Sequence, residues 1–334
     1  MSIYEFLNIY RAYLIPFIAI FGIVGNVLVI LVFLRKRISR FNVYSIALLI
    51  ANSLALFINS FLDDFLGRGL YYATSGKSYV KFDTISKSSC IAMEYFPNVM
   101  YFSSGFVMVI FTFDRFFVLM WPFKFKGTGG VRKSIIACVA VYFLGFITGI
   151  PLGISHQLKA SNDKWGIEGK ICQISSNDSH LATLSLYYES VIVYVIPTVL
   201  IFIVNTFIIY EIIKMTKIRS TIILDKQANH LEMCRIVGML AVSSTFLLFT
   251  IPLSVVIIIR LQIDHPNGKN LRALSKLFSS LKDINYSINF FIYFIFLSYF
   301  KYDLKMLFSS KVLYTFLTSS KSPNEEIEFN EIQK

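Results

Sequence analysis

Asp114 and Arg115 form an adjacent pair of opposite charges inside an otherwise apolar stretch, FTFDRFFVLMWPFKFK. No other charged residue lies between Glu94 and Lys124. An unpaired charge in hydrocarbon costs several kcal/mol, so charged residues in such a segment are usually functional or are neutralised by a partner. An acid beside a base in this setting has the chemistry of an ion pair that can be opened and closed.

The chain as a whole has the composition of a membrane protein. Of its 334 residues 55% are hydrophobic and 16% are charged, and its mean hydropathy is +0.63, whereas soluble domains are about 25% charged. Loops at an anionic membrane surface explain the net charge of +12 better than nucleic acid does. We therefore expect the lipid bilayer as a partner and no nucleic acid.

Seven apolar segments are long enough to cross a bilayer, which takes about 20 helical residues. They lie at 12–34, 42–66, 88–121, 132–155, 184–214, 233–261 and 271–298. The sequence therefore predicts an all-α fold, a seven-transmembrane helix bundle with a short amphipathic helix eight, over residues 12–309. Residues 1–11 are expected to form a short extracellular N-terminus, and the polar residues 310–334 a disordered cytoplasmic tail.

The distribution of basic residues predicts the orientation of these helices. Clusters of Lys and Arg follow the first, third, fifth and seventh segments. Because such clusters are enriched in cytoplasmic loops, we expect an extracellular N-terminus. A helix from Cys90 to Arg115 is roughly 37 Å long at about 1.5 Å per residue, so the Asp-Arg pair is expected at the cytoplasmic mouth of helix three.

The positions of the four cysteines separate them into two groups. Cys138 and Cys234 fall inside predicted helices, where a lone thiol is usually inert packing. Cys90 opens helix three and Cys172 lies in the loop between helices four and five, both on the outer, oxidising side, where a disulfide persists. We expect these two to be bonded, and we expect the sequon at Asn177 in the same loop to be glycosylated.

Motifs in nearly every helix resemble those of the rhodopsin-like (family A) G protein-coupled receptors. The first helix contains GN in GIVGNVLVIL, similar to the family's pair. Asp114-Arg115-Phe116 stands where the family has Asp-Arg-Tyr. The resemblance implies a multi-pass receptor of the plasma membrane in which Arg115 leaves Asp114 on activation and contacts a heterotrimeric G protein.

The later helices extend the resemblance and also depart from it. Pro252 can kink helix six as in such receptors, but Thr250 stands where the family has the Trp of its activation switch. Asn289 to Tyr293 reads NFFIY, which resembles NPxxY with the proline lost, and SYFKYDLKMLF follows as the predicted helix eight. Asn52 replaces the usual Asp of a sodium pocket. At these positions the chain departs from the family's activation switch and from its sodium pocket.

We expect neither a metal, a cofactor nor enzymatic activity. The four His and four Cys are scattered along the chain, and no nucleophile with a base and an orienting group can be recognised.

Carboxylates mark the predicted ligand pocket. Glu94 on helix three, Glu189 on helix five and Asp283 on helix seven are candidates because intramembrane carboxylates are usually functional. Asp63, at the outer end of helix two, is either a fourth candidate or a solvated charge. Pro97 stands where receptors for amines have an Asp, which disfavours a monoamine. Carboxylates among aromatic side chains suit Arg, and the resemblance then implies a short basic neuropeptide, amidated in the manner of FMRFamide-like peptides.

Three other functions stay open at this point. An opsin needs a lysine six residues before the motif Asn, but Asp283 has that position and Lys282 lies one residue too early. A transporter or channel would use the same charges as a translocation path, although no inverted repeat is visible. A seven-helix scaffold that does not couple to a G protein would explain the lost switch residues.

Overall fold

The computed structural model describes residues 2–36, 38–121, 130–160, 169–174, 184–185, 187–219, 226–262 and 268–307. The predicted glycosylation site Asn177 and the predicted tail at 310–334 lie outside these residues.

The described chain is almost entirely helical. Its helices, numbered in chain order, are α1 (Ile3–Arg35), α2 (Arg40–Ala73), α3 (Lys87–Met120), α4 (Gly130–Ser155), α5 (Tyr188–Val195, continued by Ile196–Arg219), α6 (Lys226–Gln262), α7 (Gly268–Ser287, continued by Asn289–Phe296) and α8 (Ser298–Leu307). This order confirms the predicted seven-helix bundle with a short helix eight. Helical backbone begins at Ile3, within the segment that the sequence assigned to the N-terminus.

Among the described residues, six helices are long and apolar enough to cross a membrane, and these are α1 to α6. The seventh differs because it carries polar and charged side chains that face the bundle, including Lys282 and Asp283. Large apolar side chains such as Phe17, Leu248 and Ile295 cover the outside of the bundle. An apolar outer surface with polar groups inside is the arrangement that a bilayer requires.

Helix α3 lies at the centre of the bundle and packs against α2, α4 and α5. Small residues bring other helices together closely. A Cβ atom at Gly22 of α1 would lie 2.6 Å from Cβ of Ser287 on α7, and one at Gly25 would lie 2.8 Å from Cβ of Phe290. Such close approach of helix backbones at glycine is common in membrane bundles.

Helix α8 is tied to the end of α1. Lys36 Nζ lies 2.6 Å from a carboxylate oxygen of Asp303 and 3.9 Å from the centroid of the Tyr299 ring. Phe300 is fully buried against the bundle, while Tyr302 is exposed. The helix therefore has one buried and one exposed face, as its sequence pattern predicts.

The only strands in the described part of the chain form a hairpin that follows α4. Strand β1 (His156–Ala160) pairs antiparallel with β2 (Lys170–Ile174), with Leu158 opposite Cys172. A disulfide joins Cys172 to Cys90 in the first turn of α3, and their Cα atoms are 5.5 Å apart. We call this end of the bundle the disulfide end and the opposite end of α3 the Arg115 end.

Candidate functional site

At the Arg115 end, one carboxylate is shared by two arginines. Arg115 Nη2 donates to Asp114 Oδ2 at 2.8 Å, and Arg40 Nη1 donates to Asp114 Oδ1 at 3.1 Å. Arg40 is the first residue of α2, so the carboxylate links α2 to α3. Each oxygen of Asp114 therefore has its own cationic partner.

Arg115 is buried among aromatic rings, with an exposed fraction of 3%. Its Cζ lies 5.7 Å from the ring centroid of Phe41 and 5.8 Å from that of Phe111. Tyr293 is fully buried, and its ring packs edge-on at 6.2 Å from Phe41. The Asp-Arg pair and the NFFIY motif thus meet through one aromatic side chain.

Phe116 follows Arg115 but points elsewhere, towards α5. Its ring centroid lies 6.3 Å from that of Phe207, and it lines an apolar groove with Phe113, Leu200 and Val204. Phe116 therefore contributes packing between α3 and α5.

The middle of α6 is linked to α5 by short polar side chains. Thr250 is buried, donates to the carbonyl of Phe246 at 2.7 Å and accepts from Thr198 Oγ1 at 3.2 Å. Pro252 lies within the continuous helix two residues later. Thr250 thus makes a polar contact between α5 and α6.

Amide side chains make hydrogen bonds between α1 and α7 and between α2 and α3. Asn26 Nδ2 donates to the carbonyl of Tyr286 at 3.1 Å, and Asn289 Nδ2 donates to the same carbonyl at 3.1 Å. Ser104 Oγ donates to Asn52 Oδ1 at 2.6 Å. Asn52 therefore accepts a neutral hydrogen bond where the family usually has a carboxylate.

At the disulfide end, Asp64 is the centre of a buried ion cluster. Arg11 Nε lies 2.9 Å and Arg68 Nη1 3.0 Å from Asp64 Oδ1, and Ser280 Oγ donates to Oδ2 at 2.9 Å. Arg68 also pairs with Asp63 at 2.7 Å. Asp63 is therefore held by an arginine of its own helix and is not a solvated charge.

Replacing Asp64 with alanine is expected to destabilise the protein. The change leaves Arg11 buried without its carboxylate, and breaking a buried pair in this way costs roughly 3–5 kcal/mol. We expect a clearly lower melting temperature of the purified protein, measured by thermal unfolding. Glu5→Ala, at an exposed position of α1, is the control, and equal melting temperatures of the two variants would contradict the cluster's importance.

Asp283 is fully buried and faces α2. Its Oδ2 accepts from Ser60 Oγ at 2.8 Å and from Asn59 Nδ2 at 3.4 Å. Its Oδ1 is buried with no hydrogen-bond partner in the described part of the protein. A buried carboxylate oxygen without a partner can accept a cationic or hydrogen-bond donating group.

The remaining candidate residues of the ligand pocket differ in their exposure to solvent. Glu94 on α3 is 35% exposed, and one of its oxygens lies 3.9 Å from Nε2 of His156 in β1. Glu189 is half-buried in the first turn of α5. Pro97, one turn along α3 from Glu94, is buried. Glu94 is thus a carboxylate at the disulfide end that is still accessible.

Sequence reasoning missed the lysine that enters the core. Lys282 is fully buried, and its Nζ donates to the hydroxyl of Tyr194 at 3.1 Å. It lies 3.3 Å from the ring centroid of Tyr101. The charge pattern of α7 places Lys282 next to Asp283, but nothing in the sequence says which rings surround its ammonium.

Taken together, these sites define a membrane protein with polar groups at both ends of one helix bundle. They comprise a shared ion pair at the Arg115 end and a set of buried and half-buried charges at the disulfide end. This combination of seven helices, a hairpin joined to α3 by a disulfide and an Asp-Arg pair is that of a seven-helix receptor.

Comparison with known families supports the same class. The family model of the 7 transmembrane receptor (rhodopsin family) matches residues 25–293. The chain therefore belongs to the rhodopsin family of seven-transmembrane receptors, as the sequence motifs predicted. A search of the curated proteins finds no match.

Proposed function

We propose that this receptor is activated by an extracellular ligand and signals through a heterotrimeric G protein. The observation that carries the proposal is the contact of Arg115 with Asp114 beside a second arginine. Because Arg40 can keep the Asp114 carboxylate paired, Arg115 can leave without depriving that carboxylate of its last cationic partner. A pair with two low-energy arrangements is what a two-state equilibrium needs, and a ligand shifts that equilibrium by binding one state better.

We propose that the receptor lies in the plasma membrane. Its disulfide end then faces the outside of the cell, and its Arg115 end faces the cytoplasm. Two features support this orientation. Disulfides persist in the oxidising extracellular space, and the basic clusters follow the helices that would end inside. The N-terminus is then extracellular.

The proposed ligand is a short peptide that carries Arg or Lys. Glu94 offers a partly exposed carboxylate, and Asp283 has an oxygen without a partner among the described residues. Glu189, at the start of α5, is the third carboxylate that we assign to the peptide pocket. Arg pairs with carboxylates in a bidentate manner and stacks on aromatic rings, so it fits acidic groups set among tyrosines.

The proposal predicts that Glu94→Gln and Glu189→Gln each weaken the response to such a peptide. Losing a buried charge partner costs roughly 2–5 kcal/mol, which is about 30-fold or more in affinity. A library of cationic peptides, screened on cells with a G-protein dissociation readout, supplies the agonist. Dose-response curves then give the shift for each variant.

The matched control is Glu211→Gln, which removes a carboxylate near the other end of α5, where Glu211 contacts Lys214. We expect wild-type surface expression for all three variants and an unchanged potency for the control. A best ligand without any cationic group would overturn the peptide assignment and leave the receptor assignment intact.

A further inference from the structure

Lys282 lies in a cage of three tyrosines contributed by α3, α5 and α7. Its Nζ is 3.3 Å from the ring centroid of Tyr101, 4.7 Å from that of Tyr194 and 5.5 Å from that of Tyr286. The side chain has no exposed surface. We call these four residues the Lys282 cluster. It lies in the core of the bundle, where three helices meet.

The ammonium of Lys282 lacks the partner that other buried cations have. Four lysine or arginine side chains are buried in the part of the chain that the structure describes, and three of them, Arg11, Lys81 and Arg115, contact a carboxylate. Lys282 has none within salt-bridge distance among these residues. At longer range its charge is favoured by the carboxylates of Asp283, Glu189 and Asp64.

Hydrogen-bond donors are in excess in this cluster. An ammonium has three N–H donors, and among the described residues Lys282 finds one oxygen acceptor, the hydroxyl of Tyr194. The hydroxyl of Tyr101 is buried and has no partner in the same part of the structure. Ring faces attract the ammonium, but they do not satisfy directed N–H donors as an anionic oxygen does. The N–H donors of Lys282 that lack an acceptor among the described residues could therefore bind an anion.

We propose that the Lys282 cluster binds an anionic group of the ligand, specifically the free C-terminal carboxylate of a short peptide. The proposal rests on the peptide ligand proposed above. It adds a negative charge on that ligand to the positive charge of its Arg or Lys. The carboxylate replaces the contact between Lys282 and the ring of Tyr101 and accepts from the ammonium. The ligand is then zwitterionic, with its cation held by the acidic residues and its anion held by Lys282.

A carboxylate bound at Lys282 requires a free peptide C-terminus in place of the amidated one expected from the sequence. An amidated C-terminus is neutral and offers an ammonium only a carbonyl oxygen, whereas a carboxylate forms charge-assisted hydrogen bonds that are about twice as strong as neutral ones. The free acid and the amide of one peptide differ in that group alone. Comparing them isolates the contribution of the anion.

The first test uses a library of short Arg-containing peptides made as matched pairs of free acid and amide. Wild-type receptor, Lys282→Met and the control Lys276→Met, at an exposed position of the same helix, are compared by G-protein dissociation. We expect wild type and the control to prefer the acid by about 30-fold or more, and Lys282→Met to show no preference. A wild-type receptor that prefers amides, or a preference that persists in Lys282→Met, would overturn the anion site.

A second test needs no agonist and separates this proposal from the proposed function. Purified receptor is unfolded thermally with millimolar benzoate or with its neutral analogue benzamide. We expect benzoate alone to raise the melting temperature of wild type and of Lys276→Met, and to leave that of Lys282→Met unchanged. Equal shifts with benzoate and benzamide in wild type would overturn the anion site even if Lys282→Met fails to fold.

The two proposals fail in different ways. A response to amidated cationic peptides without any benzoate effect supports the peptide receptor and overturns the anion site. A benzoate effect that depends on Lys282, together with no response to any cationic peptide, supports an anion site at Lys282 but overturns both the peptide ligand and the identification of the anion as a peptide C-terminus.

Discussion

Arg115→Ala is expected to abolish G-protein signalling while ligand binding and surface expression stay at wild-type levels. Arg115 lies far along α3 from Cys90, and its guanidinium contacts Asp114 and two aromatic rings. None of these contacts reaches the disulfide end, so the ligand pocket should be unchanged. The variant removes the group proposed to meet the G protein, and the loss therefore appears in coupling alone.

The experiment for Arg115 measures peptide binding and G-protein dissociation on the same cells. Lys214→Ala is the control, because it removes an exposed cation from the corresponding end of α5. Asp114→Asn is the complementary variant, and it should raise signalling without ligand because it weakens the hold on Arg115. Undiminished signalling by Arg115→Ala would show that Asp114 and Arg115 are charges at a helix end with no role in coupling.

The second large effect is expected from the disulfide. Cys90→Ser should abolish delivery to the cell surface, because the Cys90–Cys172 bond fixes the hairpin of β1 and β2 to the first turn of α3. Removing a native disulfide typically costs about 2–5 kcal/mol. Surface labelling of intact cells, compared with total expression, measures the loss.

Cys138→Ser serves as the control for the disulfide, since Cys138 is a free thiol buried in α4. We expect this variant to reach the surface in nearly normal amounts. A Cys90→Ser receptor that arrived at the surface and responded normally would show that the bond is dispensable.

The helices and the family could be predicted from the sequence because their signals are local. Apolar runs of sufficient length identify spans, and the spacing from Cys90 to Arg115 identifies a helix that crosses the membrane. The amphipathic pattern around Phe300 similarly predicted α8. In each case the physical cause, burial in lipid or at its surface, acts on consecutive residues.

The ion cluster around Asp64 could not be predicted in the same way. Arg11 and Ser280 are far from Asp64 in sequence, and they meet it only because α1, α2 and α7 pack together. A carboxylate near the end of a helix has the same local sequence pattern whether it is solvated or paired. For this reason the sequence did not decide whether Asp63 is a ligand-binding residue or a solvated charge. In the structure Asp63 pairs with Arg68.

The surroundings of Arg115 and Lys282 were also hidden for geometric reasons. Arg40 begins another helix, and its contact with Asp114 depends on how α2 lies against α3. The ring of Tyr101 covers Lys282 because α3 and α7 are oriented about their axes so that these two side chains face each other. Periodicity predicts which face of a helix is polar, but it does not predict the partner.

Nucleotide exchange in a purified system tests whether this receptor activates a G protein through Arg115. Wild-type receptor and Arg115→Ala are placed in lipid nanodiscs with a panel of heterotrimeric G proteins and the most potent peptide of the library. We expect peptide-dependent exchange of GDP for GTP with wild type and none with Arg115→Ala. Equal exchange by both receptors, or wild-type exchange no faster than that of empty nanodiscs, would contradict it.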